Sequence, residues 1–185
     1  MDQQFLKELK NSTPVIQDLQ TYMDADDEML MIARQIVKEN QHNEYVLPER
    51  IKYLYSPKPK KDGGRYSLFD LIKRSEIEKM VNDNYDFILT IFYDVWAKLE
   101  PEQKVIQLDK ALCGIDMGDG EADKSKKKAP DSKEYVSNML FYGADKVMRI
   151  SEIVDLSCAT AVEERKEKEK AAKKNGKAVA DQLDE

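Results

Sequence analysis

The residues whose types could support catalysis are few. One histidine, His42, and two cysteines, Cys113 and Cys158, stand among 36 acidic and 30 basic residues. A single imidazole excludes any zinc site that needs two or more histidine ligands. A serine or cysteine nucleophile of the usual triad type would have to recruit His42 from a distant segment. The two cysteines lie too far apart in the chain for a zinc knuckle or a disulfide framework, so a reducing cytosol is the expected setting. One thiolate without partners makes a poor zinc site, and Cys113 therefore reads as a small buried side chain.

Oxygen ligands are more plentiful. Asp116, Asp119, Glu121 and Asp123 fall in a glycine-bearing stretch that resembles a hard-cation loop, although its spacing fits no strict motif. They are the weak metal candidates of this chain, and a solvated acidic loop is the ordinary reading. The earlier run Asp24, Asp26, Asp27 and Glu28 lacks the central glycine and terminal glutamate of an EF-hand. Just ahead of an apolar helical pattern, it reads as helix capping. Lys124 to Lys128 could touch phosphates, but its neighbours are acidic and no aromatic residues interleave with it. The pairs Gly63-Gly64 and Gly118-x-Gly120 lack the lysine and hydroxyl of a phosphate-binding loop.

Composition narrows the classes further. The 185 residues favour one compact domain with an appendage, and 36% charged residues against roughly 25% in an average chain call for a large solvated surface. A net charge of −6 disfavours generic duplex DNA binding, which rests on neutralising phosphates. No apolar run approaches the ~20 residues of a membrane span, and Met1-Asp2-Gln3-Gln4 lacks a secretory signal pattern.

The elements that must position these residues follow from periodicity. Phe5, Leu6 and Leu9 share a helical face, and Thr13-Pro14 predicts the start of a second helix through Val15, Ile16, Leu19, Tyr22 and Met23. Met29 to Val37 predicts a third. After Pro48, Ile51 to Tyr55 alternates as a strand, Ser56 to Gly64 reads as a loop, Arg65 to Phe69 as a second strand, and Ile72 to Met80 as a short helix or irregular crossing. Tyr85 to Tyr93 is apolar on both faces and predicts a strand in the middle of a covered sheet. A short turn then places Trp96 inside, and Pro101 opens a helix with Val105, Leu108, Leu112 and Ile115 on one face. Residues 116–132 read as a loop, Tyr135 to Leu156 as further helical faces, and the chain from Glu163 as a solvated helix or disordered tail. The fold class is α+β: a small sheet with packed helices, divided into an N-terminal helical region (1–47), an α+β domain (48–160) and a charged tail (161–185).

The stretch Tyr85 to Trp96, the helix start Pro101-Glu102-Gln103, and Asp109-Lys110-Ala111-Leu112-Cys113-Gly114 together resemble the phage metallopeptidase family. There a buried strand, a tryptophan and an L-S-P-E-Q-like helix start lead into D-H-E-L-C-H. Ile51 to Tyr55 and the Pro57 to Gly64 turn resemble the family's first strand and its glycine- and lysine-bearing turn, so the likeness spans about residues 50–116. It implies a zincin-like scaffold. In H-E-x-x-H, two histidines one helical turn apart ligate zinc and the glutamate acts as general base on metal-bound water. Matched residue by residue, the first histidine is Lys110, the glutamate is Ala111 and the second histidine is Gly114. Lysine would carry positive charge toward a dication, while alanine and glycine offer no donor. Asp109, Leu112 and Cys113 survive as scaffold. Glycine within a helix costs about 0.5 to 1 kcal/mol relative to alanine, so Gly114 points to a helix end or close packing.

The resemblance therefore implies a pseudoenzyme without a cofactor, encoded by a phage and working in the cytoplasm of the infected bacterial host. Its expected role is to bind a host or phage protein, with host transcription or defence machinery as the targets that phage origin suggests. Nucleic acid is not the expected primary ligand. Tyr53, Tyr55, Tyr66, Tyr142 and Arg149 are the candidate partner anchors, being of the types that dominate binding surfaces. The rival readings are a hydrolase using a different metal site, such as the acidic loop, and a nucleic-acid-associated protein using the lysine loop and the tail.

Overall fold

The computed structural model describes residues 3–62, 64–81, 85–116, 125–129 and 134–181. It is an α+β structure built on one four-stranded sheet in the order β1-β2-β6-β5. The centre of the sheet is β6 (Phe87–Phe92), as its two-faced apolar pattern requires. Parallel to it lies β2 (Ile51–Ser56), with Tyr53 opposite Leu89. Antiparallel on the other side lies β5 (Phe69–Lys73), with Leu71 opposite Leu89. The sheet is completed by β1 (Met23–Asp24), a two-residue edge strand paired with Tyr55 and Leu54 of β2.

This edge strand corrects the expectation of a second helix. After α1 (Gln3–Leu9), residues 13–22 form no helix. The Tyr93 hydroxyl instead donates to the Pro14 carbonyl (2.5 Å) and accepts from the Ile16 amide (2.7 Å), tying the segment to the body 77 to 79 residues away. Local spacing suited a helix, but these tertiary hydrogen bonds and the β1 pairing win.

The third predicted helix is present as α2 (Asp26–Glu39), with Asp26, Asp27 and Glu28 in its first turn. Single-turn 3-10 helices at Gln41–Asn43 and Pro48–Arg50 then lead into β2. Part of the expected loop after β2 is ordered: β3 (Lys60–Asp62) and β4 (Arg65–Ser67) form a small antiparallel hairpin, with Lys61 opposite Tyr66. The expected crossing at 72–80 divides, its first residues completing β5 and the rest forming α3 (Glu76–Val81).

Beyond β6, α4 (Tyr93–Trp96) is a single turn that buries Trp96 completely. Next, α5 (Pro101–Cys113) begins with proline at its first position and a reciprocal capping arrangement between Glu100 and Gln103. Val105, Leu108 and Leu112 face the core as expected. Gly114 is the helix end, and a Cβ there would lie 2.9 Å from the Tyr135 hydroxyl and 3.1 Å from the Ala111 carbonyl, so close packing also favours glycine. The two-residue strands β7 (Ile115–Asp116) and β8 (Lys126–Lys127) pair across residues 117–124.

The last two elements, α6 (Val136–Tyr142) and α7 (Ala144–Asp181), are separated by Gly143. With φ +91°, Gly143 adopts a conformation that side chains disfavour. Val147, Ile150, Val154, Cys158 and Ala161 bury one stripe of α7 against the body. The helix then runs on through the charged sequence without interruption, and Arg165 still pairs with Asp94 of α4 (Nη2 to Oδ1, 2.8 Å). Among the described residues, no helix is long and apolar enough to cross a membrane.

Candidate functional site

Everything the sequence singled out for chemistry in its central part projects from α5, and its two flanks do different things. One flank carries Gln107, Lys110, Ala111 and Gly114, which line a cleft of about 250 Å³ bordered by Phe69 and Leu71 of β5, Tyr135, and Val154 and Asp155 of α7. The other flank carries Asp109 and Cys113, one turn apart, and faces the exit of α2.

On the cleft side, the Lys110 ammonium donates to Glu134 Oε1 at 2.7 Å and to Ser151 Oγ at 3.2 Å. Gln107 reaches the same serine at 3.3 Å. Glu134 is buried, so its charge is compensated by lysine where water is largely excluded. Ala111 contributes a methyl group, and the space beside Gly114 is filled by the Tyr135 hydroxyl, which donates to the Lys128 carbonyl at 2.8 Å. A zinc ion does not fit the three positions: they offer a cation, a methyl group and no side chain, and the neighbouring carboxylate is already held by the cation.

The opposite flank centres on the Asp109 carboxylate, which is completely buried. Its Oδ2 accepts from Asn40 Nδ2 at 2.5 Å, while its Oδ1 accepts from Asn43 Nδ2. The same Oδ1 lies 3.1 Å from His42 Nε2 and 3.8 Å from Cys113 Sγ. Asn40 also donates to the Tyr142 hydroxyl at 2.9 Å, and Phe141 meets the His42 ring edge to face. Burial, with the Asp109 charge beside it, pushes the Cys113 thiol up to about 12. The expectation that Cys113 has no potential co-ligands is therefore corrected: folding returns His42 to it from 71 positions earlier in the chain, and the carboxylate lies between them. Neither the His42 nor the Asn43 connection had a signal in local spacing.

A further buried ionic centre was missed altogether. Glu28, read as a helix cap, turns inward and is nearly inaccessible. It accepts from the Trp96 indole at 3.0 Å, from Thr13 Oγ1 at 2.5 Å, from the Tyr55 hydroxyl, and from the equally buried Lys104 at 3.2 Å. Asp26 accepts from the Tyr53 amide at 3.0 Å and pairs with Lys52, so it ties α2 to β2.

The remaining candidates divide. Tyr53 and Tyr55 are 0% and 1% exposed, and as core side chains of a central strand they are corrected as partner anchors. Tyr142 is half-buried against Asn40, Tyr66 is half-buried beneath the Lys61 ammonium at 5.7 Å, and Arg149 is exposed. Asp116 pairs with Lys126 at 3.4 Å near the surface. Asp119, Glu121 and Asp123 lie outside the described residues.

Among protein-family models, the one described as "Putative phage metallopeptidase" matches residues 20–155. No curated protein and no solved structure matches.

Proposed function

Since this chain belongs to the phage metallopeptidase family across residues 20–155, we propose that it is a non-catalytic member, acting in the infected cell by binding a host or phage protein. The observation that carries this reading is the Lys110–Glu134 ion pair at 2.7 Å. It puts an ammonium group where a metal-dependent peptidase needs an electron-pair donor, and it occupies the buried Glu134 carboxylate. Gly114 strengthens the argument, because the Tyr135 hydroxyl fills the volume that a side chain at this position would need. Without a ligated dication, activation of water for peptide hydrolysis has no Lewis acid on this flank.

A binding role also has surface to work with. Leu140 and Phe141 of α6 and Met148 of α7 are exposed large apolar residues, and Arg149 is exposed beside them in sequence. Aromatic, methionine and arginine side chains of this kind are effective anchors at the centre of an interface. They replace the buried Tyr53 and Tyr55 in that role. Regulation of host transcription or defence is the class of outcome that fits a phage protein of this type.

The test has two arms. Purified protein incubated with casein and zinc chloride is expected to release no peptides. Affinity capture from phage-infected cells is expected to recover a defined partner that is lost when Leu140 and Phe141 are both changed to Asp, with circular dichroism unchanged. Cleavage that copurifies with the folded protein and disappears in Glu134→Gln would refute the non-catalytic reading, and capture insensitive to the double substitution would refute this surface.

A further inference from the structure

His42, Asp109 and Cys113 form a cluster on the flank of α5 opposite the cleft, and their ligand atoms all lie within 4.8 Å of one another. We infer that this cluster is a zinc-binding site, distinct from the ligand and base positions Lys110, Ala111 and Gly114 and structural in role: it joins the exit of α2 to α5.

The donor set is chemically apt. Imidazole nitrogen, thiolate sulfur and carboxylate oxygen are the three ligand types that zinc takes from proteins. Bonds of about 2.0 to 2.1 Å to nitrogen and oxygen and about 2.3 Å to sulfur, in a tetrahedron, set neighbouring ligand atoms about 3.3 to 3.6 Å apart. The observed separations of 3.1 Å from His42 Nε2 to Asp109 Oδ1 and 3.8 Å from that oxygen to Cys113 Sγ bracket these values. The remaining edge, from the His42 ring nitrogen to Cys113 Sγ, is no longer than 4.8 Å.

The surroundings support the same conclusion. Metal-bound carboxylates are commonly fixed by hydrogen bonds to their other oxygen, and here Asn40 holds Asp109 Oδ2 at 2.5 Å. The amide oxygen of Asn40, itself buried, accepts no hydrogen bond among the described residues, and an uncompensated buried carbonyl dipole favours a nearby cation. Asn43 also touches the cluster, donating to Asp109 Oδ1, and reversal of its amide would present an oxygen to it instead. The His42 side chain is 17% exposed, which leaves the ion a route in from solvent. On coordination a Zn–S bond forms and the thiol proton passes to solvent. Among the described residues Cys158 belongs to no such cluster; it is buried in the stripe of α7 that faces the core.

This inference is independent of the proposal that the cleft flank is non-catalytic, and the experiment separates them. Protein purified without chelator is loaded with zinc chloride or cobalt chloride, and bound metal is measured by elemental analysis and by the thiolate-to-cobalt absorption band. One equivalent is expected, with the band present in the wild-type protein and absent in Cys113→Ser and His42→Gln. Lys110→Ala and Glu134→Gln should leave both readings unchanged. Failure of the folded wild-type protein to retain metal would overturn the site, as would retention undiminished in both ligand variants. Metal lost only in Glu134→Gln would place the ion in the cleft, overturning this inference and counting against the non-catalytic reading as well.

Discussion

Glu28 shows how one side chain can dominate local energetics without any mark in the sequence. Its carboxylate and the Lys104 ammonium are both almost wholly buried, and the Trp96 indole, the Tyr55 hydroxyl and Thr13 complete its hydrogen bonding. Removing one member of such a pair strands the other charge, at a cost of about 3 to 5 kcal/mol. Glu28→Ala should therefore lower the free energy of urea unfolding by that amount, and a double change to methionine at 28 and 104 should recover most of it. A loss below about 1 kcal/mol would mean that Lys104 finds solvent or another partner. The buried weak acids carry a pH prediction. Burial pushes the Cys158 thiol from 9.0 up to about 12, and burial likewise raises the Tyr53 and Tyr55 phenols above 10.0, with the Glu28 charge adding to the shift at Tyr55. In the unfolded chain these groups release protons at lower pH than in the folded protein, so the folded state holds more protons in that range. Stability must then fall as pH climbs from about 9 toward 12. Thermal unfolding followed at pH 8, 9.5 and 11 should show a progressively lower midpoint; a flat profile would contradict the burial of these groups.

Among the elements, α5 is the one on which everything else is hung. Its proline start, capping arrangement and apolar face are local features, and they place Lys110 and Asp109 on different flanks simply because adjacent helical residues point about 100° apart. The long C-terminal helix is different, since its sequence after Glu163 is that of a solvated helix and yet it does not begin as a free appendage. Ala161 is buried, and Arg165 grips Asp94 and reaches the Leu19 carbonyl at 3.3 Å. Arg165 therefore pins both α4 and the non-helical segment that precedes β1. Truncation after Ala161 should lower the thermal midpoint by several degrees, whereas truncation after Ala172 should leave it nearly unchanged. Equal midpoints for the two truncations would show that the Arg165 contacts contribute nothing.

For the molecule as a whole, the family likeness that began at residues 50–116 extends to 20–155, and it takes in α2, the sheet, α5 and most of the packed part of α7. The central strand, the buried Trp96, the Pro101 helix start and the α+β class were all legible in the chain, because each depends on residues within one turn or one strand of each other. The segment at 13–22 was not, since its local spacing suited a helix and the groups that hold it otherwise are remote in the chain: Tyr93 at Pro14 and Ile16, Glu28 and Lys104 at Thr13, and Arg165 at Leu19. Neither was the destination of the candidate anchors: alternation marks which strand residues share a face, but not which face another element will cover.

What the sequence determined by itself was thus the set of local elements and the absence of ligating side chains at Lys110, Ala111 and Gly114. Only the tertiary structure decided the electrostatic partners: Lys110 with Glu134, Glu28 with Lys104, and His42 with Asp109 and Cys113. These pairs are joined across 24, 76 and 67 or more residues of chain. Helical and strand periods express geometry over a few residues, whereas the compensation of a buried charge depends on whatever folding delivers to it. That second kind of information enters only when the core closes and water is excluded.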